Sequence, residues 1–258
     1  MIRRNVIFKV EKHIKIDYQY YYDVMKNLYH YLNKYNPMLE KEVHDKGYRL
    51  ESGHNLKLFN YGLRFTNANF NKDFIELKPG SLITLIISGK DKIVNSIVLG
   101  AMKIKKINLS NKDISLLNIE PDRNFRFKNI MFYKGITPIV TSTKNNDLQK
   151  EYLSPFHGNI YFKNLDGNAK KKYKAIYGKE FDGNVYFDID NVDAIKYKSI
   201  HFKNGNIPAY KYDIWVEATP EMQKIIYYLG LGQNTSIGAG CLSYITGLYP
   251  KKEESINE

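Results

Sequence analysis

The sequence holds a single cysteine, Cys241, among 258 residues. An internal disulfide is impossible, and zinc sites built from several cysteines are excluded. The six histidines show no HExxH pair and no paired His/Cys spacing. Neither a metal nor a cofactor is expected. Apolar runs are short, and none approaches the roughly 20 residues that span a bilayer. The opening stretch MIRRNVIFKV becomes charged too soon for a secretory signal. These absences point to a cytoplasmic protein with no membrane partner. Low-complexity tracts and short-period repeats are also missing.

Acidic residues are in deficit, with 27 Asp+Glu against 39 Lys+Arg and a formal net charge of +12. Such a field favours polyanions, either nucleic acid or an anionic surface. The basic residues are interleaved with 22 Tyr and 13 Phe. Aromatic faces stack on unpaired bases while lysines hold phosphates, so single-stranded nucleic acid fits the mixture well. An AT-rich genome would enrich Lys, Tyr, Asn and Ile as well, without any ligand.

The order of elements is that of an α+β protein. Residues 2–11 alternate as a strand. A helix follows from about Tyr18 to Tyr35, with Tyr21, Val24, Leu28, Tyr31 and Tyr35 at helical spacing. Tyr22, Lys26 and Tyr29 lie on another face. Asn36 and Pro37 read as an N-cap and first-turn proline of a short helix that Gly47 ends. Strands are expected at 56–65, 74–79 and 81–88, a helix at about 92–103, and strand material to about Glu120. A second round opens near Phe132. It has a helix within 158–181, strands in NVYFDID, AIKYKSIHF and IPAYKYDIWVEA, a helix from Thr219, and a last strand after residue 240. STKNNDLQ (142–149) is the best linker candidate. Asp188 and Asp190 would share one face of a strand, which suits a solvated strand edge better than a metal nuclease.

Four blocks carry a family resemblance. The first is the glycine-rich run Gly230-Leu-Gly-Gln-Asn-Thr-Ser-Ile-Gly-Ala-Gly240 between the last helix and last strand. The others are YQYYYDVMKNLYHYL (18–32), the NPxLxxxxH block at Asn36–His44, and LKLFNYG (56–62). FYKGITPIV (132–140) adds a fifth stretch in the same order. Together they resemble the CRISPR-associated repeat-processing endoribonuclease family of the RAMP superfamily. The resemblance implies tandem ferredoxin-like (RRM-like) domains with antiparallel sheets: 1–128 with the active site, 129–250 with the glycine-rich loop, and 251–258 as a disordered tail. It implies metal-independent cleavage of CRISPR repeat RNA in precursor transcripts, leaving a 2′,3′-cyclic phosphate and a 5′-hydroxyl. The other reading is a non-catalytic RNA-binding relative in a CRISPR effector complex. Either a monomer or a homodimer is compatible with the sequence.

By the same resemblance His44 falls at the catalytic histidine position, Tyr29 at the active-site tyrosine and Lys57 at the active-site lysine. Metal-free RNA cleavage needs a base for the 2′-hydroxyl, an acid for the leaving 5′-oxygen and positive charge on the phosphorane. An imidazole suits either proton transfer. His54, in the loop before Lys57, is a second candidate. The glycine-rich loop fits neither a Walker A nor a dinucleotide motif, because it runs from a helix into a strand. Its Gly232, Asn234, Thr235, Ser236, Gly238 and Gly240 are expected to approach the RNA backbone. Arg123, Arg126, Lys128, Lys171 and Lys172 are expected to contact phosphates.

Overall fold

The computed structural model describes residues 1–49, 55–144, 147–203 and 205–245. The first half runs β1 (Ile2–Lys9), β2 (Ile14–Asp17), α1 (Tyr20–Tyr35), α2 (Pro37–Lys41) and a π turn (Glu42–Lys46). It continues with β3 (Tyr48–Arg49), β4 (Asn55–Leu56), β5 (Phe59–Phe70), β6 (Phe74–Gly89), α3 (Asp91–Ile104), β7 (Lys106–Leu109) and β8 (Lys112–Pro121). Every pairing is antiparallel. Ile86 of β6 pairs with Asn5 of β1 on one side and Gly62 of β5 on the other. β1 pairs in turn with β8, and β8 with β7. The core order β8-β1-β6-β5 is the ferredoxin-like order, with β7 added outside it. β6 is one 16-residue strand where two were expected, because Gly80 at φ +86 carries the chain through Pro79 without ending the pairing.

α1 buries the stripe Tyr21, Val24, Leu28 and Tyr31 as its spacing requires. It crosses α3 so closely that a Cβ on Gly100 would lie 1.9 Å from the Tyr31 carbonyl oxygen.

The second half runs β9 (Ile130–Gly135), β10 (Ser142–Lys144), β11 (Lys150–Tyr152), α4 (Asn159–Tyr177), β12 (Tyr186–Ile189), β13 (Lys196–Phe202), β14 (Gly205–Lys211), β15 (Ile214–Glu217), α5 (Pro220–Leu229) and β16 (Leu242–Tyr244). Its sheet has the order β12-β15-β9-β16, the same topology again, so the tandem ferredoxin-like architecture holds. β13 and β14 form a separate hairpin inserted between the second and third strands of that fold. IPAYKYDIWVEA thus divides at Tyr212 and Asp213 between two sheets. The expected linker at 142–149 is instead part of the β10–β11 hairpin. The first sheet ends at Pro121, the second begins at Ile130, and the segment between them joins the halves. The expected tail, 251–258, lies outside the described residues.

Arg3 fastens the halves together. It is 3% exposed, donates to the carbonyls of Leu242 (2.7 Å) and Tyr227 (2.6 Å), and stacks 3.6 Å over the Tyr227 ring. Among the described residues no helix is long and apolar enough to cross a membrane.

Candidate active site

Asn36 caps α2 as expected, its side-chain oxygen accepting from Leu39 N at 3.0 Å. Leu39 and Val43 are buried and pin the short helix to the core. The last turn widens to a π turn closed by Gly47 N donating to Glu42 O at 2.9 Å, a distortion that recurs at functional sites. Gly47 has φ +55, and a Cβ there would lie 2.7 Å from Leu56 O. Only glycine lets the returning chain pass this close to the helix end.

That reversal brings Lys57 against the turn. Its ammonium donates to Val43 O at 2.6 Å and to His44 O, where unpaired carbonyls of a helix end attract a cation. Burial lowers the Lys57 amine below the ordinary lysine range, and Asp45 opposes the shift. His44 stands outward, its side chain 63% exposed. The Tyr29 ring from α1 meets the His44 imidazole edge-on, with centroids 5.3 Å apart, and packs on Phe59 at 6.3 Å. Burial, with Glu40 adding to it, pushes the Tyr29 phenol up to about 12. Tyr29, His44 and Lys57, separate in sequence, therefore form one cluster.

Asp45 belongs to this cluster and was not anticipated. Its Oδ1 lies 2.9 Å from His44 Nδ1, and the hydrogen bond to His44 holds its carboxyl below the usual carboxylate range. A carboxylate only accepts, so Nδ1 carries the proton and Nε2 of the neutral ring is left as an acceptor. Adjacent residues do not face each other on an α-helix, so only the HisAsp pair itself offered a signal. His54 lies outside the described residues.

The glycine-rich loop lies against the first half. Gly230, Gly232, Gly238 and Gly240 all have positive φ, as does Asn234 at φ 57. A Cβ on Gly238 would lie 2.7 Å from the Tyr61 ring and 2.9 Å from the Tyr21 ring, so the loop touches α1 and β5. Asn234, Thr235 and Ser236 remain half-exposed at its crest. Tyr21 precedes Tyr29 by eight residues, about 12 Å along α1, so loop and imidazole address one flank of the molecule.

Lys172 departs from expectation. It is 3% exposed and donates at 2.7 Å to both Gly230 O and Gly232 O, so its amine holds the loop from beneath and does not reach solvent phosphate. Burial pulls that amine down to about 7. Lys171 is exposed on α4, and Arg123, Arg126 and Lys128 are exposed on the segment joining the halves. The phenylalanines between them, Phe125 and Phe127, stack on Tyr227 of α5. A further basic group went unnoticed in the sequence: Lys211, lowered by burial, with Lys198, Lys134 and Lys196 around it. Asp188 lies on the outer strand β12, and Asp190 accepts from Trp215 Nε1 at 3.1 Å. Among the described residues no three of His, Cys, Asp and Glu gather as a metal site would require.

Residues 119–244 match the sequence family described as CRISPR associated protein Cas6, C-terminal. The CRISPR-associated endoribonuclease Cas6 1 of Methanocaldococcus jannaschii is 24% identical over 231 residues, covering 87% of this chain and 85% of its own. A solved CRISPR associated protein Cas6 superposes with a TM-score of 0.78 at 22% identity, over 95% of this chain and 99% of the other. A Cas6-related protein from Pyrococcus furiosus reaches 0.81 at 18% identity, over 96% and 99%. An RAMP protein binding different RNA substrates also reaches 0.81, at 16% identity over 95% and 100%. These likenesses bear out the family resemblance read from the four sequence blocks.

Proposed function

We infer that this chain, a relative of the Cas6 proteins in sequence and in fold, is an endoribonuclease that cuts the repeats of CRISPR precursor transcripts without a metal ion. The observation that carries this reading is the convergence of Tyr29, His44 and Lys57, with Asp45 orienting the imidazole. Residues 1–128 would supply the chemistry and 129–250 the glycine-rich loop that approaches the RNA backbone.

The substrate brings its own nucleophile, the 2′-hydroxyl. His44 Nε2 takes its proton as the 2′-oxygen attacks phosphorus, Asp45 stabilising the imidazolium that results. The P–O5′ bond breaks, leaving a 2′,3′-cyclic phosphate. Tyr29 stays protonated because burial raises its phenol, so it donates to the departing 5′-oxygen. Lys57 lends positive charge near the phosphorane, the kind of stabilisation that acts where charge develops.

A second reading is an RNA holder within an effector complex. It draws on Lys57, whose ammonium turns back onto the helix end. The test uses a synthetic repeat RNA from the array of the same genome, in EDTA. The wild type should make one defined cut. His44→Ala should lose about 10²-fold or more in rate while affinity stays within about twofold. A wild type that binds this RNA and never cuts it favours the holder.

A further inference from the structure

The β13–β14 hairpin is foreign to the ferredoxin-like core, and two strands alone are marginal in water. It is held across the boundary between the halves. Ile200 and Ala209 are buried with Tyr21, Val140 and Ala239 of the glycine-rich loop, and Phe202 meets Tyr22 of α1 edge-on at 5.5 Å. Beneath its tip lies a cavity of about 220 Å³, closed by the start of α1 and the β7–β8 turn. Drug-sized ligands occupy about 300 Å³ or more, so this space suits a single ring system.

The turn that forms one wall is strained. Ser110 and Asn111 both adopt positive φ, 48° and 60°, the geometry of a two-residue hairpin turn that favours Asn and Gly, not Ser. Two carboxylates hold it there. Asp23 accepts from Ser110 N at 2.8 Å, and Asp17 accepts from Ser110 Oγ at 3.0 Å and from Gln19 N at 2.8 Å. Asp23 is also paired with Lys26 at 2.7 Å. The acidic groups thus serve the frame. Facing the space are an aromatic wall, Tyr22, the amides of Gln19 and Asn111, and the basic groups His201 and Lys203. An aromatic ring with base-edge amides and cations is the composition that takes an unpaired nucleotide.

Its position is informative. Tyr22 and Tyr29 are seven residues apart, so they share a face of α1 at a separation of about 10 Å. That spans about three stacked nucleotides at about 3.4 Å each. Resting on the reading of the site as an RNA endonuclease, we propose that this cavity holds one unpaired nucleotide of the substrate, a few positions from the scissile bond, and so sets where along the strand the cut falls. The inserted hairpin exists to close that subsite over the catalytic helix.

The experiment measures binding of the repeat RNA carrying a 2′-deoxy sugar at the cut, replaced one position at a time by an abasic residue. In the wild type, one position within a few nucleotides of the cut should lose about 5- to 150-fold in affinity, the range of a lost base stack. In the double variant His201→Ala/Lys203→Ala that sensitivity should largely vanish. The slope of log Kd against log salt should flatten by about 1.4, two contacts at about 0.7 each. Tyr22→Leu, which keeps bulk against Phe202, should also erase the sensitive position. A scan identical in wild type and variants overturns the proposal while the cleavage reading stands. A wild type that neither binds nor cuts the repeat overturns both.

Discussion

Methionine at position 172 should remove a defined part of the protein's pH-dependent stability. The Lys172 amine is 3% exposed and touches two carbonyls at 2.7 Å. Burial takes it from the ordinary 10.5 to about 7. Between those values the unfolded chain holds a proton that the folded chain lacks, so stability rises with pH across that window and is flat below it. The limiting slope is about 1.36 kcal/mol per pH unit for one proton. From pH 7.5 to 9 this amounts to about 2 kcal/mol, which for a chain of this size is a rise in Tm of about 4–8 °C. The assay is thermal unfolding followed by circular dichroism at both pH values and matched ionic strength. Lys172→Met keeps the side-chain length but cannot titrate. Its Tm should rise less than that of the wild type by about 4–8 °C over the same interval. Equal shifts in the two proteins would refute the argument that a buried, desolvated amine holds the loop.

Three further outcomes follow from the site. Tyr29→Phe should lower kcat about 10- to 100-fold. It should leave the pH–rate profile below pH 9 unchanged in shape, since the phenol at about 12 does not titrate there; a profile that changes shape contradicts its role as donor. Gly238→Ala would press a Cβ to 2.7 Å from the Tyr61 ring at φ +91. RNA affinity should fall in a filter-binding assay, while Gly178→Ala, where a Cβ meets nothing within 4 Å, should bind as the wild type does. Lys57→Met leaves Val43 O and His44 O without their donor. It should cost about 1 kcal/mol in urea unfolding and lower kcat, with Lys57→Arg restoring part of the rate.

Much of the site's scaffold was legible because its signals are local. Asn36-Pro37 and Gly47 mark the ends of the short helix by capping chemistry and by a required positive φ, and the first helix declares its core through the Tyr21 stripe. The grouping of Tyr29, His44 and Lys57 came through family resemblance; no periodicity links residues on a helix, a turn and a returning strand. Asp45 was hidden because helical geometry separates neighbours and the π turn was not foreseen. Lys172 was misread as one member of a solvated lysine run, although Leu165, Ala169 and Lys172 continue a single buried stripe of α4. The alternating pattern of IPAYKYDIWVEA is the same whether one strand or two carry it, so the β13–β14 hairpin and the cavity beneath it could not be seen before the strands were paired.

The central chemical claim is that the RNA attacks itself at His44. Its most direct test is a repeat RNA with a single 2′-deoxy substitution immediately before the scissile phosphate, incubated with wild-type protein and EDTA. The account predicts that the all-RNA strand is cut to a cyclic-phosphate end and that the substituted strand is bound but stays intact. Cutting of the substituted strand, or cutting of either strand only after Mg²⁺ is added, would contradict it.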